Sequence, residues 1–468
     1  MNNIVNTLKD NFKNAYDVKF REIKTSIGDV TIVFIDTLSS TQFISEFIIK
    51  PMERMTQDIK NLQDVSDRIL NINDVHKLYE LQEVYTRVLM GDVVIIAHNE
   101  STMLVCDVKS FNRRGIGIPD TEQVIKGPRE GFTDAFVDNV TLIRRRVRNE
   151  NLKTEVLSAG VKSHTTVVLV YLKGIAPEKL LERIRGAINS IESPFILDIN
   201  YIEEKLKSKS TTFDTLGYTE KPDIASARIM EGRVCVLVDG TPFAITAPHF
   251  FMESFQMADD YYLNKYFSNF NRIIRWLAFF MAIFLPGLYL AITTYHFSLI
   301  PSLFIFRMAV NRAGVPFPAV VEILIMMFLF QLVKEAGLRM PRAVGSAMSI
   351  VAGLILGDAA VGAGIASRIT LVIVSISMVS YFLVPKLYTA TSTWSIIIVL
   401  FSAFLGLPGF YIGSVLLIVH IASLDSCGYN FVFPVGTLRK FKYKDILFRG
   451  DLKNISYCIF EREDENEG

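Results

Sequence analysis

Cysteine is scarce in this chain, and the motifs of common enzyme classes are missing. The 468 residues include four cysteines, Cys106, Cys235, Cys427 and Cys458, which lie far apart and form no CxxC pair. This spacing supports neither a disulfide framework nor a metal site. A P-loop, a GxGxxG turn, an HExxH helix and a GxSxG elbow are also absent. We therefore predict a protein that is not an enzyme and that uses no metal or cofactor.

The chain also lacks a charge excess and a secretory signal. Its 49 basic residues nearly balance its 48 acidic residues, so the net charge is +1. Nucleic-acid-binding domains are usually basic, and the balance therefore argues against that class. The first 20 residues contain no apolar core of the length that a secretory signal requires. We expect the large N-terminal region to stay in the cytoplasm.

Charged residues almost disappear after about residue 273 and return only after residue 424. A membrane-spanning helix needs about 20 mostly apolar residues. Runs with at most one charged or histidine residue cover 276–295, 315–333, 343–366, 369–385 and 394–424. So many runs in succession favour a polytopic helical membrane domain at 271–424 over a soluble core. The remaining residues, 425–468, form a predicted cytoplasmic tail.

A charged stretch at 331–348 lies between two of these runs. We predict a short cytoplasmic loop that contains Lys334, Arg339 and Arg342, since basic residues favour the cytoplasmic side. Basic residues at the start of the first run, and a basic stretch at 439–445, place that end and the C-terminus on the same side. An even number of crossings is then required. Either a hairpin at Pro408–Gly409 or a crossing by 299–306 would provide it, and the sequence leaves both open.

Two acids within the predicted membrane domain are candidate functional residues. Ionisable side chains in spanning segments usually face a cavity or the bundle interior. Asp358 lies among small residues that allow close helix packing, and Glu322 lies near the start of a run. Solvation at the membrane surface is the alternative for Glu322. Pro286 and Gly287 are predicted to break the first helix, as at many transporter sites.

The soluble half contains an internal repeat. A strand at 30–36, helices at 40–52 and 73–91, and a hairpin at 92–108 are predicted from hydrophobic spacing and turn residues. The same order returns as a strand at 165–174, helices at 177–191 and 224–232, and a hairpin at 233–248. We predict two related α/β subdomains, 1–109 and 165–270, joined by a helical region at 110–164. Chance similarity of simple patterns is the alternative.

The connecting region carries a basic cluster, Arg144, Arg145, Arg146 and Arg148. No aromatic residues interleave with it, which argues against nucleic-acid binding. A solvated helix end and a contact between subunits are the remaining interpretations. Nearby acids could pair with the cluster in either case; they are Asp134, Asp138, Glu150 and Glu155.

A series of strings in this chain resembles one known family. The strings include GPREGF, RRRVRNENLK, EGRVCVLVDGTPF, NRAGVPFPAVVE, EAGLRMPRAVGSAMSIVAGLILGDAAV and AGIASR, and they run in unbroken order through residues 28–437. They resemble the A subunits of bacterial spore germinant receptors, the GerA family.

The resemblance implies a location, partners and a role. It implies a location in the inner spore membrane and two partners, a transporter-like membrane B subunit and a lipoprotein C subunit. It also implies a pentameric homo-oligomer that forms a nutrient-gated cation path. Glu322 and Asp358 are then candidate pore-lining acids, although this family often has Gln or Glu at the position of Asp358. A SpoVAF-like germination amplifier, a secondary transporter and a membrane scaffold are the alternative functions.

Overall fold

The computed structural model describes residues 2–13, 15–54, 59, 61–110, 115–208, 210–340, 353, 355–435 and 445–452. Arg342 and residues 439–444 of the predicted basic stretch lie outside the described residues. The chain divides into two compact units, Met1–Arg114 and Gly115–Gly468.

The first unit is an α/β subdomain with a five-stranded sheet. Its strands are β1 (Val18–Thr25), β2 (Gly28–Ile35), β3 (Val75–Leu78), β4 (Val93–Ala97) and β5 (Met103–Cys106). Its helices are α1 (Asn2–Asn11), α2 (Thr41–Phe43), a π-helical segment (Ile44–Ile49), α3 (Lys50–Glu53), α4 (Leu62–Arg68) and α5 (Leu81–Leu89). The strands pair antiparallel in the order β1-β2-β4-β5-β3.

The second unit begins with a sheet of the same topology. Its strands are β6 (Leu152–Ala159), β7 (Thr165–Leu172), β8 (Gly217–Thr219), β9 (Val234–Val238) and β10 (Ala244–Ala247), in the order β6-β7-β9-β10-β8. Its helices are α6 (Phe136–Arg146), α7 (Glu178–Asn189), α8 (Asn200–Leu206) and α9 (Pro222–Met230). Position by position, this order repeats that of the first sheet, as the internal repeat predicts.

Both sheets are buried on both faces. In β4 the side chains of Val93 and Ile95 enter one hydrophobic core, and those of Val94 and Ile96 enter the other. This follows from the two-residue period of a strand, in which successive side chains point to opposite faces. Near-continuous apolar strands such as VVIIA are therefore needed at the centre of each sheet.

Four strands of the two five-stranded sheets lie where the sequence did not predict them. β1 and β6 are the edge strands of the two sheets, and most of their side chains are at least partly exposed, so their hydrophobic signal is weak. β6 lies in the region that was predicted to be a helical connection. β3 occupies the first part of a segment predicted to be helical, and α5 begins only at Leu81. β8 has three residues, which is too short for a periodic pattern.

The helical region of the second unit follows a 3₁₀ turn (Phe251–Phe255) and α10 (Asp259–Tyr262). Its helices are α11 (Lys265–Tyr295), α12 (Ser302–Arg312), α13 (Ala319–Arg339), α14 (355–362), α15 (Arg368–Leu383), α16 (Tyr388–Leu405) and α17 (Leu407–Ser423), with short 3₁₀ turns at Phe297–Leu299 and Pro385–Leu387. The short strands β11 (Asp425–Ser426) and β12 (Tyr429–Asn430) follow. By length and composition, the helical segments Lys265–Tyr295 and Pro385–Leu405 could cross a membrane, and α15 and α17 are shorter apolar helices.

The predicted helix break at Pro286 and Gly287 is wrong, because α11 is continuous through both residues. Proline has no N–H, so the carbonyl of Ala282, four residues earlier, loses its helical donor. The hydroxyl of Ser377 on α15 donates to that carbonyl at 2.9 Å. Gly287 serves close packing instead, since a methyl group there would lie 2.8 Å from Cγ2 of Ile398 on α16.

The charged stretch is also not a loop where it is described, because Lys334 and Arg339 belong to the last turns of α13. Lysine, glutamate and arginine are good helix formers, so the helix continues beyond its apolar run. Glu335 and Arg339 add an ion pair at 2.5 Å with the favourable four-residue spacing. The last apolar run does form two helices, α16 and α17, which meet at Gly406 rather than at Pro408–Gly409.

A buried ion pair fixes the segment that leaves each sheet. In the first unit, Asp92 at the start of β4 contacts Lys109, just after β5, at 2.7 Å. In the second unit, Arg233 at the start of β9 contacts Glu253, just after β10, with Nη1 and Oε2 2.7 Å apart. Asp92 is 1% exposed and Arg233 is fully buried. We call these two contacts the exit pairs.

Candidate functional site

Glu322 is the centre of a closed polar network in the helical region. It lies in the first turn of α13 and is fully buried. One carboxylate oxygen accepts a hydrogen bond from Nε of Arg312 at 3.2 Å and lies 3.1 Å from Nη2 of the same guanidinium, an ion pair. The other accepts from the Ser367 N–H at 3.1 Å and the Thr370 hydroxyl at 2.9 Å. Glu322 therefore joins α12, α13 and α15.

The Glu322 carboxylate lies beside two helix N-termini. Ser367 is the N-cap of α15, and Glu322 itself belongs to the first turn of α13. Helix N-termini present free N–H groups and a partial positive charge, which stabilise an anion. The network extends to α11 through Tyr289, whose hydroxyl is 3.4 Å from that of Thr370. The alternative of simple solvation for Glu322 is wrong, while its place in an ion path stays a prediction.

Asp358 has a different environment. It lies on α14 and is exposed at the surface of the single chain. Among the described residues it forms no ion pair. The two acids are therefore not brought together in one site: one is an internal anchor, and the other is available to water or to another molecule.

Lys334, near the C-terminal end of α13, contacts α16. The ammonium group of Lys334 lies over the ring of Tyr388, a cation–π contact. The Tyr388 hydroxyl donates to the side-chain oxygen of Gln331. These contacts hold the C-terminal end of α13 beside the N-terminal end of α16.

The basic cluster lies at the C-terminal end of α6, where the helix dipole favours cations. Arg145 and Arg146 both contact Glu130, at 3.2 and 2.6 Å, and the hydrogen bond from Arg146 is the main cause of a lowered pKa of Glu130. Arg144 donates to a main-chain carbonyl of β6, and Arg148 to that of Arg145. Glu130, which the sequence did not single out, is thus one acid that pairs with the cluster. A role in assembly stays a prediction.

A larger buried charge cluster was missed by the sequence analysis. Glu253, in the 3₁₀ turn after β10, is 7% exposed. Besides Arg233, it contacts Arg228 of α9 and Nδ1 of His249, each at 3.1 Å. Burial would raise the pKa of Glu253, but the charges of Arg228 and Arg233 outweigh it and hold the pKa well below its usual range. Burial lowers the pKa of His249.

A second layer of charges joins this cluster to the start of α11. Asp260 of α10 accepts from Nε of Arg272 at 3.0 Å and from Nη1 of Arg275 at 2.9 Å. Arg272 also donates to Asp445 at 2.7 Å, and the Tyr261 hydroxyl donates to the same carboxylate at 2.7 Å. Arg272 and Arg275 are among the basic residues at the start of the first apolar run, from which the sequence predicts the cytoplasmic side. Both are buried in ion pairs.

We call the two layers together the junction cluster: Arg228, Arg233, Glu253, Asp260, Arg272 and Arg275. It links the second sheet to the first long helix. The sequence did contain a signal, because Glu253 lies between phenylalanines in HFFMESF and Arg233 opens an apolar strand. A charge in such a setting is either paired or very costly.

The junction cluster and the Glu322 network connect secondary-structure elements to one another. Within the part of the chain that the structure describes, no three His, Cys, Asp or Glu residues are placed to hold a metal ion.

Comparison with protein families identifies the chain. The model of the Bacillus/Clostridium GerA spore germination protein matches residues 6–457. This chain belongs to the GerA family. It is 35% identical to spore germination protein KA of Bacillus subtilis, over 96% of this chain and 84% of that protein. It is 30% identical to spore germination protein GerLA of Bacillus cereus, over 92% and 89% of the two chains.

Two further similarities complete the comparison. The chain is 32% identical to YfkQ of Bacillus subtilis, described as an uncharacterized membrane protein, over 94% of this chain and 88% of that one. The crystal structure of the N-terminal domain of the A subunit of the Bacillus megaterium spore germinant receptor GerK3 matches 53% of this chain and 94% of its own. Its identity to this chain is 24% and its TM-score is 0.24.

Proposed function

We propose that this GerA-family chain is the A subunit of a nutrient-responsive germination receptor in the inner spore membrane. In this proposal it oligomerises as a pentamer and forms a ligand-gated channel for cation release. A transporter-like B subunit and a lipoprotein C subunit are its proposed partners. The family match and the names of the relatives as spore germination proteins support the proposal.

One observation carries the membrane part of the proposal. Large apolar side chains are exposed on the outer faces of the long helices, among them Phe280 at 49%, Phe382 at 64%, Phe404 at 79% and Ile418 at 64%. Soluble monomers rarely expose a continuous apolar surface of this kind. Lipid, or neighbouring subunits within a membrane, would cover it.

The packing of the helix ends suggests how often the chain crosses. The start of α11, the end of α13, the start of α16 and the end of α17 all lie on the side of the second sheet. This is supported by the contacts of Arg272 with Asp260, of Lys334 with Tyr388, and of His420 with Thr211 of the segment after α8. The Glu322 network lies at the opposite end. Five crossings, by α11, α13, α15, α16 and α17, fit this arrangement of the described helices.

The charges of the two acids suggest separate roles in such a channel. Asp358, exposed on an apolar helix, suits a ring of one carboxylate per subunit that attracts cations. Glu322 is held by three hydrogen bonds and a second ion-pair contact with Arg312, and it suits the positioning of α12, α13 and α15. The junction cluster would transmit movements of the cytoplasmic sheet to α11.

The first experiment measures cation and dipicolinate release from spores that lack this chain, with several nutrients tested separately. Loss of the response to one nutrient set is expected for a receptor subunit. A slower response to every nutrient would instead indicate a SpoVAF-like amplifier. Normal release throughout would contradict the proposal, unless a redundant receptor is found by deleting relatives in the same strain.

A substitution tests the role of the carboxylate. Asp358→Asn removes the charge and keeps the size, so we expect slower cation release at unchanged protein level. Ser392→Ala, at a half-buried position of α16, is a control that changes no charge. Wild-type release kinetics of Asp358→Asn would remove this residue from the ion path.

A further inference from the structure

A cavity of about 220 Å³ lies between the C-terminal end of α11 and one face of α12. Its walls are mostly apolar and include Phe297, Ile305, Met308 and Ala309, and Arg312 supplies the charged group. Cavities for drug-sized ligands usually measure roughly 300–1,000 Å³ and combine apolar walls with a few polar groups. This cavity has the same character at a smaller size.

The contact with Glu322 occupies only part of the Arg312 guanidinium. Its Nε and Nη2 atoms are directed to Glu322, at 3.2 and 3.1 Å. Among the described residues, Nη1 has no hydrogen-bond partner, and the side chain is 28% exposed. A guanidinium offers five N–H donors in a planar fork that suits carboxylates. The Nη1 edge is therefore free to receive a second anion at the wall of the cavity.

We propose that this cavity binds a small monocarboxylate with a short apolar body. The carboxylate would accept hydrogen bonds from Nη1 of Arg312, and the apolar body would contact Phe297, Ile305 and Met308. An amine of the same length would be repelled by the guanidinium. A neutral alcohol would lose the charge-assisted hydrogen bonds, which are about twice as strong as neutral ones.

Because Arg312 also contacts Glu322, a ligand in the cavity would affect the Glu322 network. The ligand and Glu322 would share one guanidinium, so an occupied cavity would be connected to α13 and α15 through the Glu322 network. This inference rests on the cavity and its charges, and it holds whether or not the chain forms a channel.

The test is direct binding to the full chain in nanodiscs of zwitterionic lipid. Equilibrium dialysis with radiolabelled hexanoate should give saturable binding of one hexanoate per chain after subtraction of binding to empty discs. Hexanol and hexylamine at equal concentration should not displace it. Absence of saturable binding, or equal displacement by hexanol, would overturn the proposal.

Matched variants locate the site. Ala309→Trp should fill the cavity and abolish hexanoate binding. If the tryptophan variant does not fold, Ala309→Leu takes its place and should weaken hexanoate binding. Ala313→Trp, four residues further along and outside the cavity wall, is the control and should bind as the wild type does. Arg312→Lys keeps the charge but loses the fork, so its affinity should fall roughly tenfold. Unchanged binding by the folded Ala309 variants would show that hexanoate binds elsewhere and would overturn the assignment.

Discussion

Replacing Glu253 by glutamine removes one negative charge from between two guanidinium groups. The shape of the side chain is nearly kept, so the main change is electrostatic. Arg233 is fully buried and Glu253 is 7% exposed, so water cannot replace the missing charge. We expect a marked loss of stability that is localised at the junction cluster.

The expected magnitude follows from the contacts that remain. Removing one partner of a buried ion pair costs about 3–5 kcal/mol, since the other charge is left uncompensated. Arg228 and Arg233 keep contacts with Glu231, at 3.0 and 3.1 Å. Because Glu231 is partly exposed, its compensation is incomplete, and we expect a cost near the lower end, about 3 kcal/mol. Glu178→Gln is the matched control, because Glu178 is an exposed partner of Arg185 and should cost less than about 1 kcal/mol.

The chain contains its own reporter for this measurement. The indole of Trp276, on α11, stacks on the ring of Phe255, two residues after Glu253, with ring centroids 3.7 Å apart. Urea unfolding of the full chain in nanodiscs, followed by tryptophan fluorescence, should show a lower midpoint for Glu253→Gln. A free energy of unfolding within about 0.5 kcal/mol of the wild type, the range of ordinary surface substitutions, would refute the reasoning.

The pH dependence has a definite sign. The pKa of Glu253 is lower in the folded chain than its ordinary value of 4.5. Its ionised form therefore contributes stability above pH 4.5, and this contribution is lost as the pH falls towards the folded-state pKa. The difference in stability between wild type and Glu253→Gln should be constant near neutral pH and should narrow below pH 4.5.

Three further predictions concern other contacts. Glu322→Gln should lower the free energy of unfolding by about 2–3 kcal/mol. A double variant, Glu322→Leu with Arg312→Met, should recover part of this loss. Urea unfolding measures both variants, and an unchanged free energy of unfolding in Glu322→Gln would contradict the network. Ser377→Ala should cost about 1–2 kcal/mol because it leaves a buried carbonyl unpaired. That cost should vanish in a Pro286→Ala background, where the helical N–H returns, and an unchanged cost there would disprove the compensation. Reversing the three charges at 144–146 should disturb assembly, and an unchanged oligomer size in mild detergent would indicate a merely solvated cluster.

The sequence predicts the centre of each sheet better than its edges. Strands β2, β4, β7 and β9 are apolar on both faces, and this composition is visible without any knowledge of tertiary structure. The pairing of the edge strands β1 and β6 depends on the tertiary fold, and their partly exposed sequences show little of the apolar pattern that identifies a strand. Hydrophobic spacing thus predicts the repeat and its central strands, but it does not predict the edge strands that complete each sheet.

The candidate sites were predicted as single residues, and their partners were not. Glu322 was visible as an acid in an apolar run, but its contacts come from residues up to 48 positions away. The same holds for Pro286, whose effect on α11 depends on a hydroxyl donated by another helix. Local rules give the cost of an unpaired group, whereas only the fold shows what compensates it.

The two exit pairs have opposite polarity, and this matters for a chain that contains the same sheet topology twice. Such chains can misassemble by exchanging equivalent segments. If the exit segment of one repeat met the sheet of the other, Asp92 would face Glu253, and Arg233 would face Lys109. Both mismatches place like charges together in a buried position, whereas both correct pairings are attractive. The polarity of the exit pairs therefore lets each repeat distinguish its own exit segment from that of its sister during folding.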